Sequence, residues 1–560
     1  MKKRLFALSV CVLLLLSYYQ CVLHPSYPCT AVYPEASQAS SKKILLIPLD
    51  GRPPCRNFVL QAGSIAGYEV LSPPSELQDY YSLPADTQKL PAWIKENIAR
   101  SHAVILSIDQ LLYGGLLAAR EKEAPPEKQA ELFAFLRQLH RDFPNIPIYA
   151  FSILPRLTPQ DTIDGYYEKR YLIEYSRLVG KQHAGLPVDE SELSRLAEKI
   201  SSESMEKYLS HFQESTSLNR NLASLAKEGT LERLILGQDD GEKYSIPNIE
   251  KEKLQNFLQA EEIPESKVFL THGADEIALA LLAEIKTKDM NFHPCVCVKY
   301  NDEKTPDRIM PYMAVSTKES AEEKLRMLHA KLVASPKDAD ITLFISCNNS
   351  DEDTLASRRN SLHALQSLLS GNHPIALVDL SKHFQKEETL LPLLIQEDYP
   401  LNTLAAYAGW NTTSNSIGTA LAQALLFASA KRDICSKQDA INLYAANLTF
   451  LQNRILEDSF YLKDVIDLVN TSLIKAGYIN TGDLDLEHNY RWANAMLQSA
   501  MQERLADYKH TKAFRQPFLV TTPTEKLSLC AQDLQADMSY PWPRTFEIYL
   551  QTTLFLGEVQ

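Results

Sequence analysis

The chain has 560 residues, 45% of them hydrophobic and 23% charged, a globular composition that excludes disorder and collagen-like repeats. Its formal net charge is -13, and no Lys/Arg run follows Arg4, so the basic surface that neutralises phosphates is missing and nucleic acid is not an expected partner. The length allows three or four domains of roughly 150 residues, or one large α/β unit.

Lys2, Lys3 and Arg4 precede an apolar run from Leu5 to Leu16. A basic region followed by a short apolar one is the pattern of a secretory signal, and the run is shorter than the roughly 20 residues that span a bilayer. Residues 1–23 are therefore expected to be a signal peptide or, since no A-x-A site follows, a retained N-terminal anchor. Tyr18-Tyr19-Gln20 before Cys21 is too bulky for a lipoprotein site. The protein is expected to be exported and extracytoplasmic, touching the membrane only through this segment. Residues 24–41, rich in Pro, Ser, Ala and Tyr without periodicity, are expected to be a linker. The nine cysteines are scattered and lack the paired C-x-x-C spacing of a zinc site. No metal and no other cofactor is called for.

From residue 42 short apolar runs alternate with helical patterns. Strands are expected at Ile44–Pro48, Ala103–Ile108, Ile148–Ile153, Leu234–Leu236, Val268–Leu270, Cys295–Val298, Ile341–Ser346 and Ile375–Val378. Helices are expected between them, among others at Lys128–Arg141, Ser191–Leu225, Glu276–Ile285 and Ser320–Val333. Continuous apolar strands separated by helices indicate a predominantly parallel sheet buried on both faces. Eight of them suit a (β/α)8 barrel, the preferred reading, although a doubly wound open sheet reads the same way. Residues 42–415 are taken as an α/β catalytic-like domain. Residues 416–560 are taken as a mainly helical part packed on it, closed by a strand near Thr545–Phe555.

Parallel α/β sheets bind ligands at the carboxyl ends of their strands. There the chain places, in order, Asp50 and Arg52 in PLDGRP; Asp109, Tyr113 and Arg120 in SIDQLLYGGLLAAR; Arg156 in ILPRLTP; Gln238, Asp239 and Asp240 in LGQDDGEKYS; and His272, Asp275 and Glu276 in THGADE. One polar residue after a strand is ordinary turn chemistry, but here carboxylates or amides follow nearly every strand. Asp239, Asp240, Asp50, Asp109 and Glu276 are the candidate catalytic carboxyls. Adjacent carboxylates can push each other's pKa values apart into an acid and a base; the bland alternative for Asp239-Asp240 is an Asx turn, and for Asp275 a helix cap. Arg52, Tyr113, Arg156, Gln238, Asp275, Trp410, Asn411 and Asn415 are candidate substrate-binding residues. The last three belong to AYAGWNTTSNSIGTALAQAL, a polar loop opening an apolar helix, where free N–H groups could meet a hydroxyl-rich ligand and Trp410 could stack on a sugar ring. A capped helix with a buried Trp is the alternative.

PLDGRP, SIDQLLYGGLLAAR, LGQDD, GADE, AGWNTTSNSIGTA and PWPRTFE resemble, in that order, the bacterial domain-of-unknown-function family 4127, over nearly all the chain after residue 41. That resemblance implies one integrated unit and no particular activity. THGADEI is also similar to the His-Gly-Gly-Asp-Glu signature of exo-acting β-hexosaminidases, with Ala274 departing from the second glycine. That likeness implies Glu276 as general acid and Asp275 as the residue orienting an acetamido group.

The expected function is a glycoside hydrolase acting through paired carboxyls on a carbohydrate or other small polar substrate. Neither a G-x-S-x-G elbow nor an H-E-x-x-H motif competes with it. A non-catalytic envelope protein that binds a saccharide is one alternative. A carboxylate-metal hydrolase with Asp50, Asp109 and Asp239 as oxygen ligands is another.

Overall fold

A computed structural model of the chain describes residues 27–35, 42–163, 165–369, 374–409 and 412–560. The expected signal or anchor, and Trp410 and Asn411, lie outside the described residues. Among those residues no helix is long and apolar enough to cross a membrane.

Fifteen strands are described: β1 (Cys29–Val32), β2 (Lys42–Ile47), β3 (Tyr68–Leu71), β4 (Ala103–Ser107), β5 (Ile148–Leu154), β6 (Arg233–Gln238), β7 (Val268–His272), β8 (Cys295–Tyr300), β9 (Lys331–Leu332), β10 (Ile341–Asn348), β11 (Ile375–Ser381), β12 (Leu404–Ala408), β13 (Phe518–Thr521), β14 (Lys526–Ser539) and β15 (Tyr549–Val559). All eight expected strands form. Their hydrogen bonds divide them between two parallel sheets, one in the order β3-β2-β4-β5-β6-β7 and one in the order β12-β11-β10-β8-β9. The predominantly parallel α/β class therefore stands. The pairing runs as two open sheets, and closure into an eight-stranded barrel is not among the pairings of the described residues.

Both sheets start in the same way. The second strand of each lies outside the first, and the third returns to the first strand's other side, leaving a switch point between β2 and β4 and another between β8 and β10. Crevices at such points bind ligands in open α/β sheets.

The central strands of the first sheet are buried on both faces. Successive side chains alternate sides, so Ile44 and Leu46 enter one core while Leu45 and Ile47 enter the other. The first core is shared with the second sheet through the helix Thr413–Lys431, which packs on the helices Asn57–Ala66, Ile277–Asp289 and Thr317–Met327 and on β11 and β12. Residues 413–429 of that helix are all buried, as befits a helix apolar all round.

Other expectations are corrected in detail. The long helix expected over Ser191–Leu225 breaks into Glu190–Glu198 and Ser202–Lys227, because Asp189 and Ser201 each cap a new start with the side chain. Cys29–Val32, within the expected linker, pairs antiparallel with β15, so both ends of the described chain share the sheet β1-β15-β14-β13. The C-terminal part thus carries an antiparallel sheet besides its helices. A π-helical stretch, Ile455–Val465, continues the helix Lys437–Arg454.

Candidate active site

The loops after β2, β5, β6 and β7 open into a cleft of about 1170 Å³, closed on its far side by loops of the second sheet and by Arg544 and Phe546 of PWPRTFE. Arg52, Arg156, Gln238, Asp239, Asp240, Asp275 and Asn415 all line it. With Arg120 and His272, which also line it, nine of the residues picked out at strand ends and at the start of the Thr413 helix are thus brought together by the topology.

The Asp239-Asp240 pair occupies the turn after β6. Asp239 Oδ2 accepts from Arg120 Nε at 2.8 Å, and its Oδ1 accepts from the Asp240 amide at 2.9 Å. Burial pushes the Asp239 carboxyl up, but Arg120 and then Arg156 outweigh it and hold it below its ordinary range. Asp240 has no ion-pair or side-chain hydrogen-bond partner among the described residues. Burial, and after it the negative charge of Asp239, raise its carboxyl to about 7. The two neighbours have opposite environments, one ionised by a guanidinium and one poised near neutrality. The loops after β5 and β6 are tied together by the Leu157 amide donating to the Asp240 carbonyl at 3.0 Å and by Gln238 Nε2 donating to Pro155 O at 3.0 Å. Tyr208 of the Ser202–Lys227 helix braces the same turn by donating to Leu157 O at 2.9 Å.

Arg52 is the hub beside this pair. Its Nε and Nη2 donate to Asp50 Oδ2 at 2.9 and 2.7 Å, Nη2 to Asp275 Oδ1 at 2.6 Å, and Nη1 to Glu547 Oε1 at 3.2 Å. Asp275 also accepts from Asn415 Nδ2 at 3.3 Å. Burial raises the Asp275 and Glu547 carboxyls, against the lowering effect of Arg52 on Asp275 and of Arg544 and Arg52 on Glu547. Asp79, which accepts from the Gly51 amide at 2.9 Å, is pushed to about 8 by burial and then by Asp50.

Three expected site residues stand behind the cleft. Asp50 is fully buried under Arg52. Asp109 is buried against β5, its Oδ2 accepting from the Ile153 amide at 3.0 Å, and burial raises it to about 7. Glu276 is fully enclosed and paired with Lys324 Nζ at 2.5 Å, so the protonating role implied by the hexosaminidase likeness has no access to the cleft. Tyr113 likewise faces away, donating to Glu214 at 2.7 Å. Asp275 caps no helix with its side chain: the following helix begins after Glu276 without a side-chain cap.

The metal alternative changes shape. Asp50, Asp109 and Asp239 are each held by a different partner. The carboxylate and thiol group that does come together is Asp50, Cys55 and Asp275, with ligand atoms within 4.8 Å of one another. Arg52 Nη2 reaches all three, at 2.7 Å from Asp50, 3.6 Å from Cys55 and 2.6 Å from Asp275. The guanidinium stands where a cation would, and these residues do not fit a metal.

A family model described as a protein of unknown function, DUF4127, matches residues 44–551. The chain belongs to this family. No curated protein matches it.

Several cleft residues of this DUF4127 chain were not singled out from the sequence. Arg544 lies inside a quoted motif, and its place there was the signal that could have found it. Tyr81, Tyr312 and Phe384 gave none. All three line the cleft, and all three have positive φ, at 53°, 65° and 56°. Bulky side chains rarely occupy that region, and strained backbone clusters at ligand clamps. The Tyr312 carbonyl accepts from the Gly241 amide at 3.2 Å, tying one of these aromatics to the Asp240 turn.

Proposed function

We propose that the protein is an exported glycoside hydrolase in which Asp240 is the general acid. The observation that carries this reading is the contrast within one turn: Asp239 is ionised by Arg120, while Asp240, unpaired and facing the cleft, is raised to about 7. A glycosidase needs such a protonated carboxyl at neutral pH, plus a second carboxyl that is ionised. Of the carboxyls expected to supply the second group, Asp50, Asp109 and Glu276 are enclosed behind the cleft. We assign it to Asp275, which lines the cleft and whose carboxylate form Arg52 and Asn415 hydrogen-bond against the upward push of burial. Asp240 gives its proton to the glycosidic oxygen as the bond to the anomeric carbon breaks, and Asp275 takes a proton from the water that replaces the leaving group. The Tyr81, Tyr312 and Phe384 side chains at the cleft supply flat apolar faces for sugar rings. Export is supported by the basic and apolar N-terminal pattern from Lys2 to Leu16.

The test is a panel of aryl glycosides offered to the purified chain. Release of the aryl alcohol from at least one member, abolished in Asp240→Asn, is the expected result. Saccharide binding without turnover of any member would replace this reading with that of a binding protein.

A further inference from the structure

Four arginines line the cleft, and three of them are committed. Arg52 is shared among Asp50, Asp275 and Glu547, Arg120 is held by Asp239, and Arg544 is ion-paired with Glu547 at 3.0 Å. Arg156 differs. No carboxylate lies within ion-pair distance of it among the described residues, and its Nε is buried without a hydrogen-bond partner. A guanidinium whose Nε is buried and unpartnered is held in such a place at a loss unless something accepts its hydrogen bond. Its planar fork matches a carboxylate in bidentate fashion.

The surroundings say where that partner would sit. Arg156 follows β5, and the Leu157 amide is bonded to the Asp240 carbonyl. A group bound by Arg156 therefore lies beside the proposed acid rather than at a distant subsite. The nearby carboxylates Asp161, Asp239 and Asp240 act on Arg156 only at longer range. Asp161 is itself bonded to Lys169 Nζ at 2.8 Å, and Asp239 to Arg120.

We infer that Arg156 is the anion-recognising residue of the cleft, and that the substrate is an acidic saccharide whose sugar carboxylate, in or next to the ring being cleaved, pairs with Arg156. This rests on the glycosidase reading for the word substrate, but the binding claim stands on Arg156 alone. It has a consequence for the acid. Arg156 on its own favours the ionised form of Asp240. A sugar carboxylate that neutralises Arg156 removes that influence and adds a like charge, so binding of the acidic ring loads Asp240 with the proton it must deliver.

The experiment is calorimetric titration of the full chain with free glucuronate, glucose and inorganic phosphate, in two buffers of different ionisation enthalpy. Glucuronate is expected to bind at least about tenfold more tightly than glucose, a difference on the scale of one charge-assisted bidentate contact, with net proton uptake. Arg156→Gln is expected to remove that preference while leaving thermal unfolding unchanged. Arg156→Lys, which keeps the charge but loses the fork, should restore only part of it. Asp240→Asn should keep the preference and lose the proton uptake. Equal affinity for glucuronate and glucose, a glucuronate preference unchanged in Arg156→Gln, or tighter binding of phosphate than of glucuronate would each overturn the inference. If no aryl glycoside in the panel is cleaved yet glucuronate binding depends on Arg156, the hydrolase reading fails and the binding claim stands.

Discussion

Arg52 and Glu547 are separated by 495 positions in the chain and bonded at 3.2 Å. Through that contact the loop after β2 and PWPRTFE meet Asp275 of GADE, so three separate motifs form one buried network behind the cleft. The network makes the site a product of the whole chain rather than of one segment.

Breaking that hub should therefore be felt globally. Arg52→Ala leaves Asp50, Asp275 and Glu547 buried without their shared cation. We expect a loss of about 3–5 kcal/mol in unfolding free energy, the usual consequence of removing one partner from a buried charge pair. Urea unfolding followed by circular dichroism measures it. A loss below roughly 1 kcal/mol would mean that the three carboxyls do not depend on Arg52.

Asp240→Asn should reduce turnover by about 10²–10⁴ with the fold intact. The wild-type rate carries a second mark of the same group. The acid form of Asp240 in the free chain exists below about 7, so kcat/KM should fall as pH rises through that value. In the Asn variant the residual rate should lose this limb. A wild-type profile flat from pH 5 to 9 would remove Asp240 from the role.

Asp109 offers a test that reads stability instead of rate. Its folded carboxyl is raised to about 7 by burial, against about 3.9 in an unfolded chain. Its contribution is fully present below the unfolded value and is lost as pH rises through the folded one, because over that window the native state binds the proton and the unfolded state does not. Asp109→Asn cannot ionise. Relative to wild type it should be more favourable at pH 8 than at pH 5, as measured by denaturant unfolding at the two pH values. The same difference at both would show Asp109 ionised throughout.

Gly418 reverses an ordinary rule. Gly to Ala within a helix usually stabilises by about 1 kcal/mol. Here a Cβ would overlap Glu276 Cγ, which is locked in place by Lys324. Gly418→Ala should lower the melting temperature by several degrees, and a rise would show that Glu276 moves aside freely.

The alternation of fully apolar runs with helical spacing was enough to place eight parallel strands and the polar residues after them. Burial on both faces leaves no polar positions in such strands, and this signature does not depend on where the strands lie. Two edge strands escaped that logic. Tyr68–Leu71 and Lys331–Leu332 are short and partly exposed, so they carry no apolar run. The choice between a closed ring and two open sheets was equally beyond local pattern, because the same strand can pair with either of two neighbours. Only the inter-strand hydrogen bonds of the folded chain show which pairing was made. The site divides in the same way. Residue type and position after a strand nominated Asp239, Asp240, Arg156 and Asp275, and turn geometry does gather them. What each can do was decided by partners far away in sequence. Arg120 ionises Asp239 from 119 positions off, and Lys324 encloses Glu276, while Asp240 and Arg156 are left unpaired. A carboxyl's pKa depends on its burial and on nearby charges, and those are properties of the folded chain.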